Sequence, residues 1–70
     1  MQNATERNTE RIKKIKAEMG RNDDTTQDVA NALGISRVAL SARLNDKASF
    51  TIRDLEALAE RYGKDYNYFF

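Results

Sequence analysis

Residues 26–45 read Thr26-Gln-Asp-Val-Ala-Asn-Ala-Leu-Gly-Ile-Ser-Arg-Val-Ala-Leu-Ser-Ala-Arg-Leu-Asn45, and the fold turns on them. Val29, Ala30 and Leu33 keep helical spacing, and Gly34 stops that helix after about two turns. Ser36 is a good N-cap, so another helix starts almost at once, with Leu40 and Leu44 marking its buried side. Two short helices joined through Gly34-Ile35-Ser36 must cross steeply, because the turn is too short for antiparallel packing. Ala30 is small enough to let the two approach, and Ile35 fills the corner between them. The face of the later helix opposite Leu40 and Leu44 is left projecting from the domain.

The flanking sequence keeps the same period. A first helix is expected from about Ala4 to Met19, with Ile12, Ile15 and Met19 on one face and Gly20 ending it. Arg21 to Asp24 form a polar loop, after which Thr25 and Asp28 make a capping box for the second helix. Asn45-Asp46 can take the left-handed backbone that ends the third. Thr51 caps a fourth helix with Asp54, and Phe50 and Leu55 are placed as a hydrophobic staple. Leu55, Leu58, Ala59 and Tyr62 form its core stripe up to Gly63, and Asp65 caps one last turn from Tyr66 to Phe70. The expectation is an all-α chain of five short helices, one domain over residues 1–70 with 1–8 fraying.

Composition narrows function. The 70 residues include no Cys, His, Pro or Trp, so disulfides, Cys- or His-based metal sites and most general-base chemistry are absent. The one carboxylate cluster, Asp23-Asp24-Asp28, has no partner base, so no enzyme, metal or cofactor is expected. No apolar run spans a membrane, and the start, Met-Gln-Asn-Ala-Thr-Glu-Arg, lacks the apolar core of a secretion signal. A cytoplasmic binding domain with no membrane partner is the expectation.

Net charge is only +1, but its distribution is uneven. Residues 1–22 carry six Lys/Arg against three Glu, and 35–53 carry four against one Asp. Residues 23–34 hold three Asp and no base, and 54–70 hold four acids against two bases. If the basic blocks share a side, that side attracts phosphate. Solvated helix faces account for the same charges equally well.

The residues Val29-Ala30, Leu33-Gly34-Ile35-Ser36-Arg37, Leu40-Ser41, Arg43-Leu44-Asn45, Phe50-Thr51, Leu55, Leu58 and Ala59 carry a resemblance. The chain resembles the phage-repressor and Cro (XRE-like) helix-turn-helix family over about residues 10–70. The resemblance implies a lambda-repressor-like DNA-binding domain with its helix-turn-helix at about 25–45. It implies double-stranded DNA, read in the major groove, as the partner. The helix starting after Ser36 is then the recognition helix. With Leu40 and Leu44 inside, Val38 and Ala42 point outward, flanked by Arg37, Ser41 and Asn45. These five are the candidate base contacts: Arg37 to guanine, Val38 or Ala42 to a thymine methyl, Ser41 and Asn45 to base or phosphate. Thr26, Ser36, Lys47 and Arg53, near helix starts or in the adjoining loop, are the candidate phosphate contacts. For each, an ordinary solvated surface residue is the competing reading.

Two features fit less well. Arg43 lies nearer the buried side than the groove, where it can snorkel, pair with an acid or reach a phosphate; a structural role is favoured. Asp23 and Asp24 precede a presumed phosphate-contacting helix end, so either their loop turns away or binding is weakened.

One domain of this size buries too little surface for tight specific binding alone, so a homodimer on a palindromic site is expected. The tail Tyr66-Asn67-Tyr68-Phe69-Phe70 supplies the contact: Phe69 turns to the core, and Tyr66, Tyr68 and Phe70 are candidate interface residues. A fifth helix that only closes the core is the alternative. A phage or bacterial transcription regulator, repressor or Cro-like, is the leading function. An antitoxin or recombination accessory with a protein partner, or an interaction module that has lost DNA binding, are the competitors.

Overall fold

The structure is a computed structural model that describes residues 4–70. Four helices occur among these residues, in the order α1 (Ala4–Arg21), α2 (Thr26–Leu33), α3 (Arg37–Leu44) and α4 (Ile52–Arg61), with no strand. Residues 1–3 of the segment expected to fray lie outside the described residues, and 4–8 are helical.

Caps set the starts. Thr25 Oγ1 accepts from the Asp28 N–H at 3.0 Å while Asp28 Oδ2 accepts from the Thr25 N–H at 2.9 Å. Thr51 and Asp54 repeat this box at 3.0 Å in both directions. Ser36 Oγ accepts from the Ala39 N–H at 3.0 Å. Each cap is worth about 1 kcal/mol, which matters in helices of eight to ten residues.

The stops follow one rule with one correction. Asp23, Gly34, Asp46 and Gly63 all take left-handed backbone, with φ of 54°, 70°, 59° and 66°. At each, the next residue's amide reaches back to a carbonyl five residues earlier: Asp24 to Met19, Ile35 to Ala30, Lys47 to Ala42, Lys64 to Ala59. Gly20, expected to end the first helix, is inside α1 instead. Contacts of buried Glu18 favour the added residues: it pairs with Arg21 at the helix end, and its carbonyl accepts from Asn22 Nδ2 at 2.7 Å in the turn that follows.

The expected fifth helix is also corrected. Residues 66–69 form two successive turns, closed by Tyr68 N–H to the Asp65 carbonyl (2.9 Å) and Phe70 N–H to the Asn67 carbonyl (3.1 Å). So short a segment gains too few hydrogen bonds to offset helix nucleation. Side chains of α1 hold it instead: Arg11 Nε donates to the Phe69 carbonyl at 2.7 Å and Lys14 Nζ to that of Tyr68 at 3.5 Å.

One core joins all of this. Ile12, Ile15 and Met19 of α1, Val29 and Ala30, Leu40 and Leu44, Phe50, Leu55, Leu58 and Ala59, and Phe69 of the tail are buried together. Leu33, Ile35, Tyr62 and Tyr68 cover its margin. α2 packs on both α3 and α4.

Candidate nucleic-acid interface

Burial of Leu40 and Leu44 fixes which side of α3 faces out. Arg37, Ser41 and Asn45 are exposed, and Val38 is 76% exposed, an apolar side chain left in water. Ala42 is half-buried. Arg37, Val38 and Ser41 are thus exposed on α3 and Asn45 at its C-cap, with Ala42 only partly exposed beside them. Thr26 and Ser36 stand at helix starts, while Lys47 and Arg53 lie exposed after α3 and at the start of α4.

The α2 capping box uses the Thr25 and Asp28 amides and leaves those of Thr26 and Gln27 without a protein acceptor among the described residues. Ser36 spends only its oxygen lone pair on the cap, so its hydroxyl proton remains available to an acceptor.

The charges divide sharply. Arg37, Lys47 and Arg53 make no ion pair among the described residues. Arg61 instead grips Asp24 with two hydrogen bonds, Nε to Oδ2 at 2.9 Å and Nη2 to Oδ1 at 2.7 Å. Tyr62 OH donates to the same carboxylate at 2.8 Å. The Arg61 hydrogen bond, against partial burial, holds the Asp24 carboxyl below its ordinary value, and Tyr62 adds to this. Burial first, and then its hydrogen bond to Asp24, push the Tyr62 phenol up. The Asp24 side of the acidic loop thus turns into the protein and is neutralised. Asp28 is committed too: the Thr25 backbone and then hydroxyl hydrogen bonds hold its carboxyl below the usual range.

Residues singled out on other grounds fall elsewhere. Arg43 is largely buried and lies 3.3 Å from Asp54, so of the roles open to it, snorkelling, pairing with an acid or reaching a phosphate, the structure shows the pairing. Tyr68 is half-buried against the core, with Lys14 and Lys64 over its ring at 5.0 and 5.2 Å. Tyr66 and Phe70 remain exposed, at 67% and 51%, edge to face with centroids 6.0 Å apart. Beside them a hollow of about 200 Å³ is lined by Arg7, Glu10, Arg11, Lys14, Phe69 and Phe70. The Asp24–Arg61–Tyr62 cluster escaped the sequence reading because its members are 37 and 38 residues apart, beyond any local spacing signal. No group of His, Cys, Asp and Glu able to hold a metal ion occurs among the described residues, and no helix there is long and apolar enough to cross a membrane.

A short helix crossing into a second through a left-handed Gly34, with the second presenting an uncommitted outer face, defines a helix-turn-helix domain. A family model described as helix-turn-helix matches residues 12–69. The chain belongs to that family, of the XRE, Cro/C1 type, a family of DNA-binding regulators. No curated protein and no solved structure matches it.

Proposed function

We propose that this chain is a sequence-specific repressor or Cro-like regulator that binds a palindromic operator as a homodimer and acts by occupying a promoter. One observation carries the reading. The cations left without ion pairs from α2 through α4 are Arg37, Lys47 and Arg53, all exposed at or beside the helix-turn-helix, while Arg43 and Arg61 are paired with acids. In this reading Arg37 takes a guanine edge, and Val38 and Ala42 pack on thymine methyls. Ser41 and Asn45 reach base or backbone. Thr26, Ser36, Lys47 and Arg53 hold phosphates.

Dimerisation through Tyr66 and Phe70 places two recognition helices about 34 Å apart, one DNA turn. Tyr68, wedged between two lysines and the core, contributes to that surface only from behind. Changing Tyr66 and Phe70 together to Ser leaves Phe69 in place, and loss of the solution dimer is expected. A dimer that survives the double change would remove the tail from the interface.

The reading as a whole is tested by selection from a randomised duplex pool at two salt concentrations, with Arg37→Ala in parallel. Enrichment of an inverted repeat, relaxed in the variant, is expected. Retention of no duplex even at low salt would overturn it.

A further inference from the structure

An ion pair links α3 to α4. Arg43 Nη1 lies 3.3 Å from Asp54 Oδ2, with the two side chains 19% and 9% exposed. Yet Nη1 is fully buried and makes no hydrogen bond. Two desolvated charges with a donor left over return little stability, and an apolar pair of similar volume commonly does as well. Its geometry is more telling. Asp54 Oδ2 is the same oxygen that accepts the Thr51 N–H and closes the α4 capping box. One carboxylate therefore joins the last turn of α3 to the first turn of α4, across the loop carrying Lys47 and next to Arg53.

Leu40 and Leu44 hold α3 down through apolar burial, which is non-directional, whereas the ion pair has a direction. On α3, at about 100° per residue, Arg43 projects on one flank of the Leu40–Leu44 seam and Arg37 and Ser41 on the other. A tether on that flank fixes how far the strip from Arg37 to Asn45 is turned.

We infer that Arg43 is a positioning residue: its ion pair with Asp54 sets the rotation of the recognition helix against α4, and so governs sequence discrimination while contributing little to overall affinity. The first half concerns the free protein. The second rests on the DNA-binding reading above.

The test compares the full chain with Arg43→Met, with Arg43→Lys, and with Arg43→Met combined with Asp54→Asn. Two readouts are taken: amide hydrogen exchange of the free protein, and affinity for the selected operator against a mixed-sequence duplex. In Arg43→Met, amides at Ser41 to Asn45 should exchange about tenfold faster while those around Ile15 keep their protection. Operator affinity should fall roughly tenfold, the loss expected from one misaligned base contact, with non-specific affinity and salt slope unchanged. Arg43→Lys, which keeps the charge, should recover part of both. Should the single Met variant unfold, the double variant, which leaves no unpaired charge, carries the same comparison.

Unchanged exchange in α3 would overturn the tether. A parallel loss of specific and non-specific affinity, with the salt slope reduced by about 1, would make Arg43 a phosphate contact instead. If the unaltered protein discriminates no duplex, the DNA-binding reading fails, and the exchange result alone decides the tether.

Discussion

The outward side of α3 and the seam between α1, the α1–α2 loop and the end of α4 spend similar residues in opposite ways. At the seam, Arg61 and Tyr62 close on Asp24, and Arg21 and Lys64 converge on buried Glu18. On the α3 side, Arg37, Lys47 and Arg53 have no acid to meet. Pairing makes a cation part of the scaffold, whereas its absence leaves the cation's hydrogen bonds for a ligand. In a chain of net charge +1, two of the acids nearest this side, Asp24 and Asp54, are met by Arg61 and Arg43.

The most direct way to break the comparison is to cut beneath the outward face. Leu40→Ala empties a fully buried site and should cost about 2–5 kcal/mol, read from urea unfolding. In a domain this small, that approaches its whole stability. Arg37→Ala, one residue past the α3 cap, should leave stability within about 0.5 kcal/mol and cost about 1–3 kcal/mol of operator binding. If Arg37→Ala shifts the unfolding midpoint instead, the two regions are not separate in kind.

That separation was readable from the sequence only in part. Thr25, Ser36 and Thr51 announced three helix starts because a cap needs nothing beyond the residues beside it. The outward strip of α3 followed from Leu40 and Leu44 by helical geometry alone. The scaffold's ion pairs did not, since partners such as Asp24 and Arg61 meet only once the core has formed. Gly20 misled for a different reason: the helix runs on past it with the local contacts of Glu18 to Arg21 and Asn22, and Asp23 took the left-handed turn. The tail failed as a helix because so short a segment gains too few hydrogen bonds to offset nucleation, and α1 side chains hold its last carbonyls.

Smaller effects sharpen the contrast. Lys47→Ala and Arg53→Ala should each weaken binding evenly across sequences and reduce the log K against log salt slope by about 1. Lys64→Ala, whose cation already meets Glu18, should leave that slope unchanged.

The smallest effect is on pH, because its partner Arg61 remains accessible to solvent. Asp24 and Asp28 are held below their ordinary 3.8, so the stability they contribute is whole above that value and is lost as pH falls through it. Tyr62 is raised above its ordinary 10.0, so its contribution is whole below that value and is lost as pH rises past it. Asp24→Asn should make the acid limb of the stability profile shallower, leaving the part due to Asp28, as followed by circular dichroism at fixed urea. It should lessen the alkaline limb slightly, since burial is the larger cause of the Tyr62 shift.

The surface of the protein that meets DNA can be located directly. Titrating the isotope-labelled protein with the selected duplex, and following each backbone amide by NMR, decides it. Shifts concentrated at Thr26, Ser36 to Asn45, Lys47 and Arg53 are predicted. Shifts confined to the exposed α1 lysines Lys13 and Lys16, with α3 silent, would contradict it.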